Sequence, residues 1–188
     1  MRKEKGNIYI DLIVLKNMKT IVSEKLPRII KNKKKLETEL EVKITNKGLE
    51  VFIEGKPEAE YSAEKVIDAL NFGFPFSTAL LIKTQDFIFE IINIKDYTKR
   101  KDLKRIRARI IGTRGKTLQT LHQLTNCYFE LKENHIGIIG APEYLENAQQ
   151  AVITIIKGAK QANVYSFLEK HQVKEVIDLG LKNEDNKL

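Results

Sequence analysis

Between Arg109 and Leu118 the chain reads Arg-Ile-Ile-Gly-Thr-Arg-Gly-Lys-Thr-Leu, two glycines three positions apart with basic residues between and beside them. Residues of these types at this spacing can hold a phosphate. Glycines lack a β-carbon, so a sugar-phosphate chain can come close to the backbone at Gly112 and Gly115. Gly115 also opens an apolar periodicity, Leu118, Leu121 and Leu124, which puts the turn at the start of a helix, where the dipole favours anions. Arg114 and Lys116 are placed to neutralise phosphates directly, with Thr113 inside the turn. Lys104, Arg107 and Arg109 precede it on an expected helix and add longer-range attraction. Ile111 and Leu118 either floor a groove for bases or belong to the core. Tyr128 either stacks a base or is an ordinary half-exposed strand tyrosine.

Charge is concentrated at the same place. From Lys99 to Lys116 nine residues are basic and one, Asp102, is acidic, so this segment carries the whole formal net charge of +8. A positive field beside a glycine turn is the expected footprint of a polyanion partner.

Other chemistries find less support. The chain has one cysteine, Cys127, and three histidines, His122, His135 and His171, without metal-site spacing, so no metal or cofactor is expected. Cys127 sits among apolar residues and reads as a small buried hydrophobe. Asp86, Glu90 and Asp96 are not paired with a nucleophile, base or ligand set, and an enzyme is not expected. No apolar run approaches the length of a membrane span, and the charged start Met1 to Gly6 is not followed by a signal core, so the expectation is a cytoplasmic protein.

The elements that position the turn follow from an internal repeat. Shifting the sequence by 85 residues aligns Gly55-Lys56-Pro57-Glu58 with Gly140-Ala141-Pro142-Glu143, Leu36 with Leu121 and Gly73 with Gly158. This implies duplication of one supersecondary unit. In the second copy the pattern predicts a strand from Phe87 to Ile94 and helices from Asp102 to Ile111 and Lys116 to Thr125. A hairpin of Cys127 to Leu131 with Ile136 to Ile139 follows, then a helix closing near Gly158. The same order in the first copy gives a strand Ile8 to Leu15, helices Met18 to Leu26 and Lys31 to Leu40, strands Val42 to Thr45 and Leu49 to Glu54, and a helix Ser62 to Asn71. Each unit is then an α+β domain, a three-stranded sheet packed by three helices. The expected divisions are 1–75, a connecting segment 76–84, 85–178 and a frayed tail 179–188. The apolar content of the connection, with Pro75, Phe76, Ala79, Leu80 and Leu81, predicts a fixed relation between the units.

The copies differ where the chemistry lies. Gly112-Thr113-Arg114-Gly115 falls on Pro27-Arg28-Ile29-Ile30 in the first copy. Proline has no N–H, and branched side chains stand where a phosphate would need to approach. Lys25, Arg28, Lys31, Lys33, Lys34 and Lys35 still make a basic patch there, either a phosphate contact or a solvated or docking face.

Together, the strand–helix–turn–helix–strand–strand–helix order and the Gly-x-x-Gly turn resemble a type I, or eukaryotic-type, KH domain, so two tandem KH domains are expected. From about Ala69 to Lys170, the stretches Asn71-Phe72-Gly73-Phe74, Phe87 to Asn93, Arg107 to Gly112 and Val164 to Glu169 resemble the archaeal two-KH ribosome-assembly proteins, akin to eukaryotic partner-of-Nob and KRR-type small-subunit processing factors. This chain has Thr125-Asn126 where that family usually has Thr-Gly. The resemblance implies an RNA-binding protein of small-subunit assembly and rRNA processing. Its RNA is single-stranded small-subunit ribosomal RNA near the 3′ end, and its partners are a Nob-type endonuclease and other assembly or ribosomal proteins. It also implies that the first, degenerate unit serves protein or domain contact. The alternative is a docking scaffold or translation-linked adaptor for which RNA is secondary.

Overall fold

The computed structural model describes residues 19–171; the expected strand Ile8 to Leu15 and the tail 179–188 lie outside them. The first unit runs β1 (Lys19–Val22), α1 (Leu26–Leu40), β2 (Lys43–Lys47), β3 (Glu50–Glu54) and α2 (Pro57–Phe72). A connecting helix α3 (Phe76–Thr84) follows. The second unit runs β4 (Ile88–Asn93), a 3-10 turn (Ile94–Tyr97), α4 (Leu103–Ile111), a 3-10 turn (Thr113–Gly115), α5 (Lys116–Thr125), β5 (Tyr128–Lys132), β6 (His135–Gly140), α6 (Pro142–Lys157) and α7 (Gln161–Lys170). Each unit has an antiparallel three-stranded sheet, ordered β1-β3-β2 and β4-β6-β5. No helix among the described residues is long and apolar enough to cross a membrane.

From Lys31 onward the elements of the two copies correspond in order and register at the 85-residue shift. The hairpin register is identical, Ile44 opposite Ile53 and Phe129 opposite Ile138. Both hairpins are entered from a left-handed cap, Glu41 at φ 55° and Asn126 at φ 53°. Asparagine and aspartate tolerate this conformation best, which is why Asn126 suits it better than Glu41 does.

Between Lys19 and Ile30 the expected match fails. No helix spans Met18 to Leu26; Lys19–Val22 is a strand, with Ile21 opposite Val51. Thr20, Ile21 and Val22 are three β-branched residues in a row, stiff at χ1 and suited to a pleated surface. One helix, α1, then occupies the place of the glycine turn and α5 of the second copy. Pro27 sits in its first turn, where a missing N–H costs no hydrogen bond. Among the described residues two helices, α1 and α2, cover the first sheet, and α3 packs on α2 through Thr78, Ala79 and Ile82.

Each sheet buries one face against its own helices. In the first unit Leu36, Leu40, Ile44, Val51, Ile53 and Leu70 close the core; in the second Ile92, Ile106, Ile110, Leu121, Ile138 and Val152 do so. Cys127 is fully buried in the second core, and its thiol is pushed up to about 11 by that burial, which leaves it neutral and inert.

The opposite face of the second sheet is covered by the first unit. Phe72 and Phe74 lie on β6 beside Phe89 of β4, ring centroids 5.7 to 6.0 Å apart. They can do so because residue 137 is glycine: a β-carbon there would stand 2.7 Å from Phe74 and 2.8 Å from Phe72. Polar groups ring this contact. Lys132 Nζ pairs with Glu24 at 2.8 Å, Arg28 donates to the Gly73 carbonyl at 2.8 Å, and Lys25 donates to the Phe72 carbonyl at 3.1 Å. Burial raises the Glu130 carboxyl above its ordinary range although Lys25 and Arg28 oppose the shift.

Two outcomes follow from this interface. Phe74→Ala is expected to cost about 3–5 kcal/mol in urea unfolding, because Phe74 is only 1% exposed and its loss leaves a cavity over Gly137. Because its folded value is raised, Glu130 binds its proton more tightly in the native state, so its contribution to stability falls as pH rises through that range. Glu130→Gln should gain in melting temperature relative to the unsubstituted protein between pH 4 and pH 7; a constant difference across that range would contradict the shift.

Candidate nucleic-acid interface

Helix α4 ends because Gly112, at φ 73° and ψ 175°, donates its N–H to the Ala108 carbonyl at 2.8 Å and then leaves the helix. Arg114 (φ 55°) and Gly115 (φ 77°) both adopt left-handed conformations before α5 begins. The Gly115 N–H closes the turn on the Gly112 carbonyl at 3.3 Å. An arginine in the left-handed region is strained by about 1–2 kcal/mol, and strain of this kind concentrates at functional sites.

The two glycines do different work. A β-carbon on Gly112 would overlap the Thr117 hydroxyl and stand 2.7 Å from the Thr117 amide, so Gly112 is packed down onto the first turn of α5. Around Gly115 nothing lies within 4 Å of such an atom. Gly112 thus fixes the turn, and Gly115 presents the open surface that a phosphate needs. Thr113, Arg114 and Lys116 are exposed around it, and Ile111 is 37% exposed just before it.

Thr117 is itself held from behind. Its hydroxyl accepts from Gln161 Nε2 at 2.7 Å, and the same amide donates to the Arg109 carbonyl at 2.9 Å. One side chain at the start of α7 thereby ties the end of α4 to the start of α5. Nothing in the local sequence points to Gln161, which lies 44 residues beyond Thr117. The only signal for Thr117 is its place two residues after the second glycine.

The remaining expected site residues are dispersed. Lys104 is exposed on the first turn of α4. Arg107 donates to Asn134 Oδ1 at 3.0 Å and to the Glu133 carbonyl, which ties it to the β5–β6 loop. Arg109 turns its guanidinium to the Ile155 and Ala159 carbonyls at the end of α6, away from the turn. Tyr128 is half-buried on the face of β5 that meets the first unit, its ring 4.8 Å from that of His122. His122 Nδ1 donates to the Cys127 carbonyl at 2.9 Å. Tyr128 and His122 line, with Leu118, a groove of about 270 Å³ beside the turn. Its far wall is Phe74, Pro75 and Thr78 from the connection between the units. That contribution comes from a segment 40 residues away in sequence from Leu118, and only the folded chain brings it there.

A three-stranded antiparallel sheet ordered first-third-second, covered on one face by helices and carrying Gly-x-x-Gly between the first two, defines a type I KH domain. Residues 88–173 match the family model for the second KH domain of PNO1, a eukaryotic type KH-domain (KH-domain type I). The second unit is therefore similar to the PNO1 type of KH domain. The KH domain-containing protein MJ0443 of Methanocaldococcus jannaschii is 30% identical over 119 residues, 63% of this chain and 52% of that protein. The pre-rRNA-processing protein PNO1 of Eremothecium gossypii is 30% identical over 115 residues, 60% of this chain and 43% of that protein. The chain thus spans about half the length of the curated relatives it matches. Among solved structures, a chain of the a/eIF2alpha-aDim2p-rRNA complex from Pyrococcus horikoshii OT3 is similar with a TM-score of 0.75 and 27% identity, covering 83% of this chain and 94% of that one.

The unequal glycines predict unequal substitutions. Gly112→Ala is expected to lower stability by at least about 2 kcal/mol, through its clash with Thr117 and its positive φ. Gly115→Ala should cost only about 1 kcal/mol, from backbone strain alone. Thermal unfolding of the two variants side by side measures the difference, and equal losses would mean that Gly112 is not packed on Thr117.

Proposed function

We propose that this protein binds single-stranded RNA of the small ribosomal subunit through its second KH domain and acts in small-subunit assembly and rRNA processing. The site lies near the 3′ end of the small-subunit rRNA, and a Nob-type endonuclease performs the cleavage. The observation that carries this is the turn at Gly112 to Gly115: rigid at one glycine, open at the other, flanked by exposed Arg114 and Lys116. The likeness to PNO1 and to a chain of an rRNA complex supports the choice of RNA.

In this role a phosphate sits over Gly115, where no side chain intervenes, and Arg114 and Lys116 neutralise it and its neighbour. The α5 dipole adds to the attraction. Bases lie toward the groove of Leu118, His122 and Tyr128, and Ile111 is exposed just before the turn. Lys104 and Arg107 contribute field more than contact, and Arg109 acts by holding α6 against α4. Binding and positioning are the activity; no bond is made or broken by this chain. The first unit, residues 1–75, is a degenerate KH domain, joined through 76–84 to the RNA-binding domain 85–178. Its Lys25 and Arg28 hold the connection where the second copy would hold RNA. The protein works in the cytoplasm.

Gly115→Asp sets a carboxylate where the phosphate belongs, and aspartate tolerates the left-handed conformation better than most residues. It should lower affinity for single-stranded RNA at least about ten-fold while the protein stays folded, since it repels the phosphate that Arg114 and Lys116 attract. The unsubstituted protein should lose affinity steeply with salt, with a slope of about 0.7 per neutralised phosphate. Unchanged binding by the folded variant, or a flat salt response, would overturn the assignment.

A further inference from the structure

We propose that the hollow between the start of α4 and the end of α6 is a second phosphate site, which takes the backbone of the same RNA strand beyond the stretch lying on the glycine turn. The hollow has a volume of about 730 Å³ and is lined by Arg100, Lys101, Asp102, Arg105, Arg109 and Gly158. Four cations face one carboxylate there.

Their surroundings separate them by role. Arg109 is committed to the Ile155 and Ala159 carbonyls, so the end of α6 already has its cationic partner. Arg100, Lys101 and Arg105 are exposed, and among the described residues their side chains make no hydrogen bond or ion pair. Like charges converging on one concavity repel unless an anion enters, and a low-dielectric wall focuses their field. A solvated helix face would spread its cations outward. Here Arg100 and Lys101 come from the preceding loop and Arg105 and Arg109 from one face of α4, all onto the same hollow.

Gly158 makes room for this arrangement. It caps α6 at φ 108°, and a β-carbon on it would stand 3.4 Å from Arg100 Nη2, so the Arg100 guanidinium lies across bare backbone. Guanidinium groups bind phosphate oxygens in pairs, which suits a sugar-phosphate backbone better than a point charge does. The hollow is linked to the turn through α4: Arg109 lines it, and the Arg109 carbonyl is held by the same Gln161 amide that holds Thr117. The nine residues of α4 are roughly 14 Å long, and Arg100 and Lys101 precede that helix whereas the glycine turn follows it. The hollow shares no lining residue with the groove of Leu118, His122 and Tyr128, so a strand that reaches it extends past the bases held in that groove.

The test, resting on the RNA-binding role proposed above, compares single-stranded RNAs of random sequence of about four nucleotides, the length a KH loop clamps, and about twelve nucleotides, by fluorescence anisotropy with the full chain. Arg100→Ala with Arg105→Ala should weaken the longer RNA about ten-fold and reduce its salt slope by about 1.4, the value for two phosphates on a single strand. The shorter RNA should bind the double variant as it binds the unsubstituted protein. Gly115→Asp, in contrast, should weaken both. Both arginines are exposed, so an unchanged melting temperature for the double variant is the expected control. Equal loss on the two lengths, or no loss on the longer, would overturn the second site while leaving the turn in place. Failure of the unsubstituted protein to bind either RNA would overturn the RNA-binding role itself, and the second site with it.

Discussion

The contact of Phe72 and Phe74 with β6 across Gly137 is the constraint on which the rest of the structure depends. A sheet of three strands has two faces, and helices of the second unit cover one of them. The other would expose Phe89, Tyr128 and Ile139, too much apolar surface for a small domain to leave in water. Covering it with the end of α2 and its continuation fixes the first unit against the second. It also brings Phe74, Pro75 and Thr78 to the rim of the groove beside the glycine turn. The interface and the binding groove are therefore built from one connection, and Lys25 and Arg28 anchor that connection by its carbonyls.

The sequence difference at the 85-residue shift accounts for the asymmetry of the two units. At equivalent positions one copy has Gly112 to Gly115 and the other has Pro27 to Ile30. In the second, glycine lets the chain break out of α4 and re-enter α5 with a turn facing solvent. In the first, proline starts a single helix that runs through the same positions, with Ile29 in the core. Arg28, which matches Thr113 of the turn, points to the Gly73 carbonyl instead of outward.

Much of this was legible in the sequence, and the exceptions have physical reasons. The hairpins, α5 and the closing helices followed from apolar periodicity and from glycine and proline punctuation, because their local signals agree with their tertiary roles. Lys19–Val22 was misassigned because the repeat matched Ile21 with Ile106, whereas local β-branching and the need for a third strand decided the outcome. Within the site, the turn was legible because glycine pairs are rare and positional. The orientation of Arg109 was not: a basic residue on a basic helix gives no sign that its guanidinium meets the end of another helix. Gln161 and the connection residues in the groove were hidden by their sequence distance.

Covering β6 on both faces has a consequence for the motions of the molecule. Its residues from Ile136 to Gly140 are all buried, with Ile138 in one core and Ile139 in the other. Amide hydrogens on such a strand exchange with solvent only when both cores open, so β6 belongs to the slowest-opening part of the protein. Each unit then lends the other its resistance to local opening. A strand shared in this way joins two modules into a single cooperative folding unit, with the glycine turn carried at its edge.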